Sequence, residues 1–435
     1  MDPAVERSGF PGPDAPSPEK IGACVHCGLC LPVCPTYSQT KNEASSPRGR
    51  LYLMRAISEE RIPLSAAFGN EMYLCLGCRA CETACPAGVE FGDLLERSRA
   101  QVEEALPRPL ASRLSRRAVL QSLVPHRRRL EWVARGTRLF QRLGLGAWLL
   151  GSGLLEGRDG LRSAIALIPP AEEIVVGGPG PGVHARRADG DRRVGFFRGC
   201  VMDAMLGGTN RRTVGLLRDS GCEVNIPDSQ TCCGALHLHS GMREEAKALA
   251  RRNVKAFASG KDDAVICNSA GCGAALKGYG ELLESDEESA GEAKEFAGRV
   301  RDISEYLSDL PTRRTPPALR GKAVYQDACH LVHGQRIRSA PRALLDEVPG
   351  LTLVPFPESD SCCGSAGIYN ISRPSSALEI LDRKMEFIAE VDPDFVIAGN
   401  PGCQLQLALG VRRRGLRARV LHTVDALSGG GEGAS

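Results

Sequence analysis

No apolar run in this 435-residue chain reaches the ~18 residues that a helix needs to cross a bilayer. The longest candidate, 143–155, is short and broken by glycines, which excludes a helical membrane span. The opening stretch, MDPAVERSGFPGPDAPSPEK, lacks the hydrophobic core of a secretory leader. It reads as a loose polar tail over 1–20, on a chain that stays in the cytoplasm where thiols are kept reduced. Charge of one sign is missing as well, with 55 Lys and Arg against 52 Asp and Glu. That balance excludes a global polyanion-binding role and, with it, nucleic acid as a partner. No G-x-G-x-x-G follows a strand-like run and there is no Walker loop, so no nucleotide fingerprint is present. No Ser/His/Asp or paired-carboxylate arrangement stands out, and no catalytic residue is expected. Hydrophobic content of 42% and charged content of 25% exclude disorder and fibrous repeats. The length exceeds the roughly 250–300 residues that one core can serve, so two or more domains are expected.

Cysteine, by contrast, is plentiful. Of 18 cysteines, eight fall between 24 and 85 and ten between 200 and 403, with none in the gap. In a reducing compartment such a pattern favours metal or redox chemistry over disulfides. Cys24, Cys27, Cys30 and Cys34 in CVHCGLCLPVCP, and Cys75, Cys78, Cys81 and Cys85 in CLGCRACETACP, both obey C-x2-C-x2-C-x3-C-P. This is the bacterial ferredoxin run, in which the fourth cysteine ligates the other cluster of a two-cluster protein. One [4Fe-4S] centre is therefore assigned to Cys24, Cys27, Cys30 and Cys85, and a second to Cys75, Cys78, Cys81 and Cys34. Structural zinc would use C-x2-C pairs a longer span apart, whereas here three thiols crowd each short loop and the motif occurs twice. His26, inside the first motif, is expected to face solvent or to hydrogen-bond rather than to ligate. The spacer RGRLYLMRAISEE reads as a helix, so this domain is expected to be helical.

The second camp contains a duplication. Cys200, Cys232-Cys233-Gly234 and Cys272 recur as Cys329, Cys362-Cys363-Gly364 and Cys403 at offsets of 129 to 131 residues. Each copy carries three strand-like runs: VGFF, CEVNIP and AVIC in the first, AVYQ, LTLVPFP and FVIA in the second. Helix-compatible stretches lie between them, so each copy is expected to be an α/β unit with a mainly parallel sheet and cysteines at its strand ends. Between the two camps, 97–142 holds twelve arginines against three glutamates. There Leu130, Val133, Leu139, Phe140 and Leu143 partly follow helical spacing beneath an Arg-rich face. A solvated or partner-packed helix outweighs a membrane-surface one, and GGPGPG at 177–182 reads as a flexible or turn-rich linker.

The strings CVHCGLCLPVCPTY, SSPRGRLYLMRAI, CLGCRACETACPAGVEFG, CCGALHLHSG, DACHLVHGQRIR, CCGSAGIYN and NPGCQLQ together resemble the iron-sulfur subunit of bacterial glycolate oxidase. The resemblance covers nearly the whole chain beyond the first twenty residues. The C-terminal copies also resemble the CCG domains shared with heterodisulfide reductase, the anaerobic glycerol-3-phosphate dehydrogenase small subunit and lactate-utilisation iron-sulfur proteins. The implied layout is an N-terminal α-helical ferredoxin-like domain with two [4Fe-4S] clusters over 21–105, then an Arg-rich helical segment and linker over 106–190. Two duplicated α/β CCG domains follow, over 191–310 and 320–428.

The resemblance further implies an FAD-binding partner subunit that oxidises glycolate to glyoxylate, with this chain passing the electrons to quinone or another acceptor. The complex would lie in the cytoplasm or at the inner face of the cell membrane. Alternatives are the equivalent subunit of a lactate or glycerol-3-phosphate dehydrogenase complex and a non-redox metal-binding assembly protein. In the full CCG motif of heterodisulfide reductase, the doublet, the upstream cysteine and a terminal cysteine pair hold an unusual cluster. Here the first copy keeps Cys267 and Cys272, while the second keeps Cys403 and puts Ala398 opposite Cys267. Direct disulfide-reductase catalysis is thereby put in doubt. Whether Cys200, Cys232, Cys233, Cys267, Cys272, Cys329, Cys362, Cys363 and Cys403 hold a further cluster stays open at this level. His237, His239, His330 and His333 sit beside these cysteines in sequence, where hydrogen bonding outweighs metal ligation. Cys222 is expected to be packing, and Arg48 and Arg50 either anchor the ferredoxin domain or lie on its surface.

Overall fold

The computed structural model describes residues 9–106, 108–258, 262–311 and 314–430. The chain forms two compact units, Met1–Ala118 with Leu236–Ala246, and Val119–Ala235 with Lys247–Ser435.

Among its described residues the first unit contains no strand. Its longer helices, Pro47–Ser58, Ala66–Leu74 and Phe91–Ala105, enclose a core of Leu51, Met54, Ile57, Phe68, Met72, Leu94 and Leu95. Ser17, Ser46 and Ser65 accept backbone N–H bonds at the starts of Pro18–Gly22, Pro47–Ser58 and Ala66–Leu74. Each such cap contributes about 0.5–2 kcal/mol. The loose tail expected over 1–20 does not hold from residue 9 onward; residues 1–8 lie outside the described ones. Phe10 is buried with its ring 6.1 Å from that of Phe68, and Ile21 joins the same core. A short polar segment conceals a single aromatic anchor, and composition averages it away.

The second unit contains both cysteine-rich copies. Its strands are β1 (Gly182–His184), β2 (Arg193–Phe197), β3 (Glu223–Ile226), β4 (Ala264–Cys267) and β5 (Val300–Asp302) in the first copy. The second has β6 (Gly321–Tyr325), β7 (Leu351–Leu353), β8 (Phe395–Ile397) and β9 (Arg419–Leu421). The sheets run β1-β3-β2-β4-β5 and β7-β6-β8-β9, and every pairing is parallel except that of β1 with β3. Apart from the antiparallel edge strand β1, the two copies therefore share one strand order. In each, the first strand is flanked by the second and the third, so the order reverses between β2 and β4 and between β6 and β8. That reversal opens a crevice beyond the carboxyl ends of the strands. β2, β4, β6 and β8 are buried along most of their length, as sheets covered on both faces require.

Two segments of this unit depart from expectation. GGPGPG is tied down rather than flexible: Gly177 N–H donates to Asp203 O (3.0 Å), and a Cβ on Gly207 would meet Gly177 O at 2.2 Å. The Arg-rich stretch does form a helix, Arg127–Arg142, but with its sides reversed. Glu131 (9% exposed) and Ala134 (3%) face inward while Trp132 (70%), Val133 (50%), Leu139 (57%) and Leu143 (64%) face outward. The inward face is polar because Arg127 pairs with the buried Asp203 (3.0 Å) and with Glu131 (2.8 Å).

Candidate metal centres

The two ferredoxin-type loops share an unusual backbone. His26 (φ 55°) and Gly28 (φ 86°) flank Cys27, and Gly77 (φ 66°) and Arg79 (φ 64°) flank Cys78. A left-handed residue on each side of the middle cysteine curls the chain so that three sulfurs share a concave side. Glycine adopts that conformation freely, whereas His26 and Arg79 each accept about 1–2 kcal/mol of strain. Such strain persists only where the surroundings impose it.

Cys24, Cys27, Cys30 and Cys85 line one cavity, together with Cys81 and the apolar Val25, Leu29, Leu51, Val89 and Phe91. Around Cys81, Cys75, Cys78 and Cys34 are close enough to bear on its ionisation. Burial, then charge on Cys78, Cys75, Glu82 and Cys34, pushes the Cys81 thiol well above its ordinary range. Burial likewise raises Cys30, against backbone N–H bonds that lower it. Thiols so crowded become thiolates only against a compensating cation, so the donor set fits an iron-sulfur cluster.

The supports of these loops were only partly legible. Arg50 is fully buried rather than superficial. It donates to Glu71 O (2.8 Å), Ser45 O (2.6 Å) and Thr36 Oγ1 (3.2 Å), and Thr36 Oγ1 lies 3.3 Å from Cys34 Sγ. Arg48 lies at the surface, donating to His26 O (3.2 Å) and pairing with Glu43 (2.6 Å). Arg99 holds the second loop through Cys75 O (2.5 Å) and Met72 O (2.9 Å). Arg50 could have been found from sequence: it stands at i, i+4 and i+7 with Met54 and Ile57, a charge on the apolar stripe.

In the first cysteine-rich copy Cys200 follows β2, Cys267 ends β4, and both flank the crevice. Cys232 Sγ lies 3.8 Å from Cys200 Sγ. Hydrogen bonds then connect Cys232 with Cys233, Cys233 with Cys272 and Cys272 with Cys267. In the second copy Cys329, Cys362, Cys363 and Cys403 form the corresponding run, and the fully buried Ala398 follows β8 where Cys267 ends β4. Gly234 (φ 81°) and Gly364 (φ 89°) are left-handed. A Cβ on Gly364 would also meet Ala377 O at 2.5 Å, which is why the doublet ends in glycine.

Bonds from Cys233, Cys267 and Ser269 hold Cys272 well below the usual thiol range, against the opposing effect of burial. Cys363 is held low by bonds from Cys362 and Cys403, and Cys329 by a bond from Cys362. Among the described residues no three or more His, Cys, Asp or Glu are placed to hold a single metal ion; the sulfurs are strung in series.

The histidines divide. His330 Nδ1 lies 3.5 Å from Cys329 Sγ, and His333 Nε2 meets Asp360 O at 3.0 Å. His239, expected beside the first copy's thiols, belongs with the helical unit and pairs with Glu96 (3.2 Å). Burial raises Glu96, but the His239 bond outweighs it and holds this carboxyl below its ordinary value. His237 is buried in the helix Ala235–His239. Cys222 stays apart from both sets, buried with its sulfur 3.5 Å from Tyr306 OH.

Two supporting residues have no counterpart in the sequence reading. Lys384 is buried, donates to Glu358 O (2.7 Å) and lies 5.4 Å from the Phe356 ring centre. Burial pulls its pKa down while charge on Cys363, Cys362 and Cys403 opposes that. Its place on the apolar stripe with Leu381, Met385 and Ile388 was the available signal. Asn400 joins the two copies: its Oδ1 accepts from Gly271 N (3.1 Å) and Ser269 Oγ (3.4 Å), and its Nδ2 donates to Cys403 Sγ (3.6 Å).

Comparison with known proteins covers most of this architecture. The 4Fe-4S dicluster domain family matches residues 20–89, and the cysteine-rich domain family matches 194–277 and 323–408. Residues 111–164 match the linker region of the glycolate oxidase iron-sulfur subunit. The chain is 39% identical over 410 residues to the probable glycolate oxidase iron-sulfur subunit of Bacillus subtilis (strain 168), covering 93% of this chain and 92% of the relative. It is 32% identical over 401 residues to the glycolate oxidase iron-sulfur subunit of Escherichia coli (strain K12), covering 89% and 90%. Lactate utilization protein A of Geobacillus kaustophilus (strain HTA426) is 33% identical over 237 residues, 54% of this chain and 98% of that protein. Matched along nearly its full length, with the ferredoxin-type, linker and duplicated cysteine-rich regions all present, the chain belongs to the family of glycolate oxidase iron-sulfur subunits.

Proposed function

We propose that this chain is the electron-transfer subunit of a flavin-dependent complex that oxidises glycolate to glyoxylate. Cys24, Cys27, Cys30 and Cys85 would hold one [4Fe-4S] cluster, and Cys75, Cys78, Cys81 and Cys34 a second. Each cluster, when bound, takes up and releases one electron at a time. FAD belongs to the partner subunit, since oxidation of a 2-hydroxy acid releases an electron pair and needs a two-electron carrier. The acceptor is quinone or another oxidant.

The observation that carries this reading is the helical unit with two sets of thiols drawn together, in a chain without a nucleotide fingerprint. The test is anaerobic: purified subunit is mixed with its co-expressed flavoprotein, glycolate is added, and cluster bleaching is followed. No bleaching refutes the proposal. Iron quantification on the same sample reports on the cysteine-rich copies. About eight irons per chain confines clusters to the ferredoxin-type loops, and about twelve or sixteen places more on the remaining thiols.

The relatives named lactate utilization protein A support a second reading, in which the partner oxidises lactate. Dye reduction by the intact complex with each hydroxy acid separates the two. Peripheral seating at the inner face of the cell membrane is supported by the outward apolar face of Arg127–Arg142 and the arginines beside it. Among the described residues no helix is long and apolar enough to cross a membrane.

A further inference from the structure

Arg50, Arg99 and Arg243 are buried in the helical unit, where a positive charge is costly unless an anion compensates it. Arg243 has Asp14 at 3.2 Å, and Arg50 has Glu71 at 3.9 Å. Among the described residues Arg99 is bonded to backbone carbonyls instead: Met72 O (2.9 and 3.1 Å), Cys75 O (2.5 Å) and His239 O (2.9 Å). Carboxylates are not lacking nearby. Glu96 and Glu103 stand at i−3 and i+4 from Arg99 on the helix Phe91–Ala105, the spacing at which an arginine meets its partner. Yet Glu96 pairs with His239 (3.2 Å), and Glu103 pairs with Arg108 and with Arg116 (3.4 Å). The Arg99 guanidinium lies 5.2 Å from the Tyr73 ring centre and ends on the carbonyl of a cysteine.

Capping of a helix end does not account for this. Met72 lies in the last turn of Ala66–Leu74, but Cys75 beyond it is already extended (φ −65°, ψ 135°), and its carbonyl accepts the shortest of the bonds. The carbonyl dipoles at a helix end amount to about half a charge, against the full charge of a guanidinium. The thiol set that Cys75 begins supplies the missing anion. Cys75, Cys78, Cys81 and Cys34, as thiolates around a [4Fe-4S] core, would carry two net negative charges, and three once an electron is taken up.

We propose that Arg99 is the countercharge of the second cluster and holds its reduction potential above the value that the buried site would otherwise give. The inference rests on the ligand set proposed above. Arg99 is a positioning residue: it fixes the Cys75 carbonyl and presents a fixed positive charge to the sulfurs. Reduction brings one electron, from the partner's flavin in the complex or from dithionite in a titration, and no proton. The added negative charge stays beside the guanidinium, which therefore favours the reduced form. Beside the first thiol set Arg48 donates to His26 O, but Glu43 (2.6 Å) already neutralises it at the surface, where salt and water screen what is left.

The test is an anaerobic redox titration of the full-length, cluster-loaded chain, followed by EPR, with iron counted on each sample. Arg99→Gln keeps a donor but removes the charge, and Arg99→Lys keeps the charge but not the fork. Cys27→Ser, which alters or removes the first cluster's signal, identifies the other signal as the second cluster's. In Arg99→Gln the second midpoint is expected to fall by at least the ~59 mV that a tenfold change in a one-electron equilibrium represents, with the first midpoint unmoved. Arg99→Lys should recover most of the difference.

Two clusters at wild-type potentials in Arg99→Gln, or an equal shift of both, overturn the countercharge and leave the ligand assignment standing. Should Arg99→Gln come without its second cluster, Arg99→Lys decides. Both clusters near their wild-type potentials in Arg99→Lys show that the charge is what the site needs, whereas loss of the same cluster from it shows that the fork is, and overturns the proposal. If the wild-type chain itself binds fewer than about eight irons and shows no second EPR signal, the ligand assignment falls and the role of Arg99 with it.

Discussion

Replacing Arg50 by methionine tests how the first unit holds its second thiol set. The guanidinium is fully buried and donates to Glu71 O, Ser45 O and Thr36 Oγ1, with the partly buried Glu71 carboxylate 3.9 Å away. Methionine fills much of the volume but supplies no donor. Ser45 O keeps its bond from Thr36 Oγ1 (2.8 Å), so the full cost is not three independent bonds. Glu71 O loses the guanidinium, and the carboxylate loses its nearby positive charge. Hydrogen bonds to a charged group contribute about 1.5–3 kcal/mol each, and removing one partner of a buried charge pair costs about 3–5 kcal/mol. A net loss of about 3–5 kcal/mol is expected, a large part of the ~5–15 kcal/mol that holds a domain together.

The assay is anaerobic thermal unfolding, followed by far-ultraviolet circular dichroism and by bleaching of the cluster absorbance, with iron counted before heating. Arg50→Met should melt about 10 °C or more below the wild type. It should also lose iron selectively, because Thr36 bridges Arg50 to Cys34. Arg50→Lys keeps the charge but not the fork, and should fall between. If Arg50→Met unfolds within about 1 kcal/mol of the wild type and keeps all its iron, the reasoning is refuted.

Three further outcomes are expected. Lys384→Met keeps an apolar stem over Phe356 but removes the cation near Cys363 and Cys362; the thiolate absorbance of the metal-free protein should titrate at higher pH, and an unchanged titration would exclude the role. Burial raises Asp302 to about 6 from 3.8, against bonds from Ser304 that lower it. A raised folded-state pKa gives stability that is full below pH 3.8 and lost as pH rises through 6, so stability should fall by about 3 kcal/mol across that window. Asp302→Asn should flatten that slope while still accepting the Ser304 N–H at the start of the helix Ile303–Ser308. Trp132→Ser with Leu139→Ser alters only exposed positions, so it should leave melting unchanged but reduce cosedimentation with anionic vesicles. Wild-type vesicle binding should itself weaken with added salt.

Where the sequence carried period and spacing, the fold was legible. The six strand-like runs became β2, β3, β4, β6, β7 and β8, because short apolar runs between turn residues have few other uses. β5 and β9 were not foreseen: VRD and RVL are too short and too polar to register alone. The ferredoxin-type cysteines announced themselves by spacing, whereas their supports were hidden because a buried arginine looks like a surface one in composition. Arg127–Arg142 misled in the opposite way. Its periodicity foretold a helix, but period does not say which side faces in, and the ion pair of Arg127 with Asp203 decided that through a residue far along the chain.

The hydrogen bonds that Ala270, Gly271 and Ser269 donate to Gly399 O and Asn400 Oδ1 bear on how such a chain can change over time. His422 Nε2 on Asn268 O (2.8 Å) and Gln335 Nε2 on Ala270 O (3.0 Å) extend the same joint. Duplicated domains are commonly free to drift apart, since each keeps its own core. Here the loop bearing Cys267 and Cys272 leans on the loop bearing Cys403. A substitution in one copy alters the backbone that positions sulfur in the other. Ala398, fully buried after β8, stands in the second copy where the first places the sulfur of Cys267. Asn400 and the segment 268–271 should therefore vary together among relatives, and an isolated cysteine-rich copy should not hold its own thiol geometry.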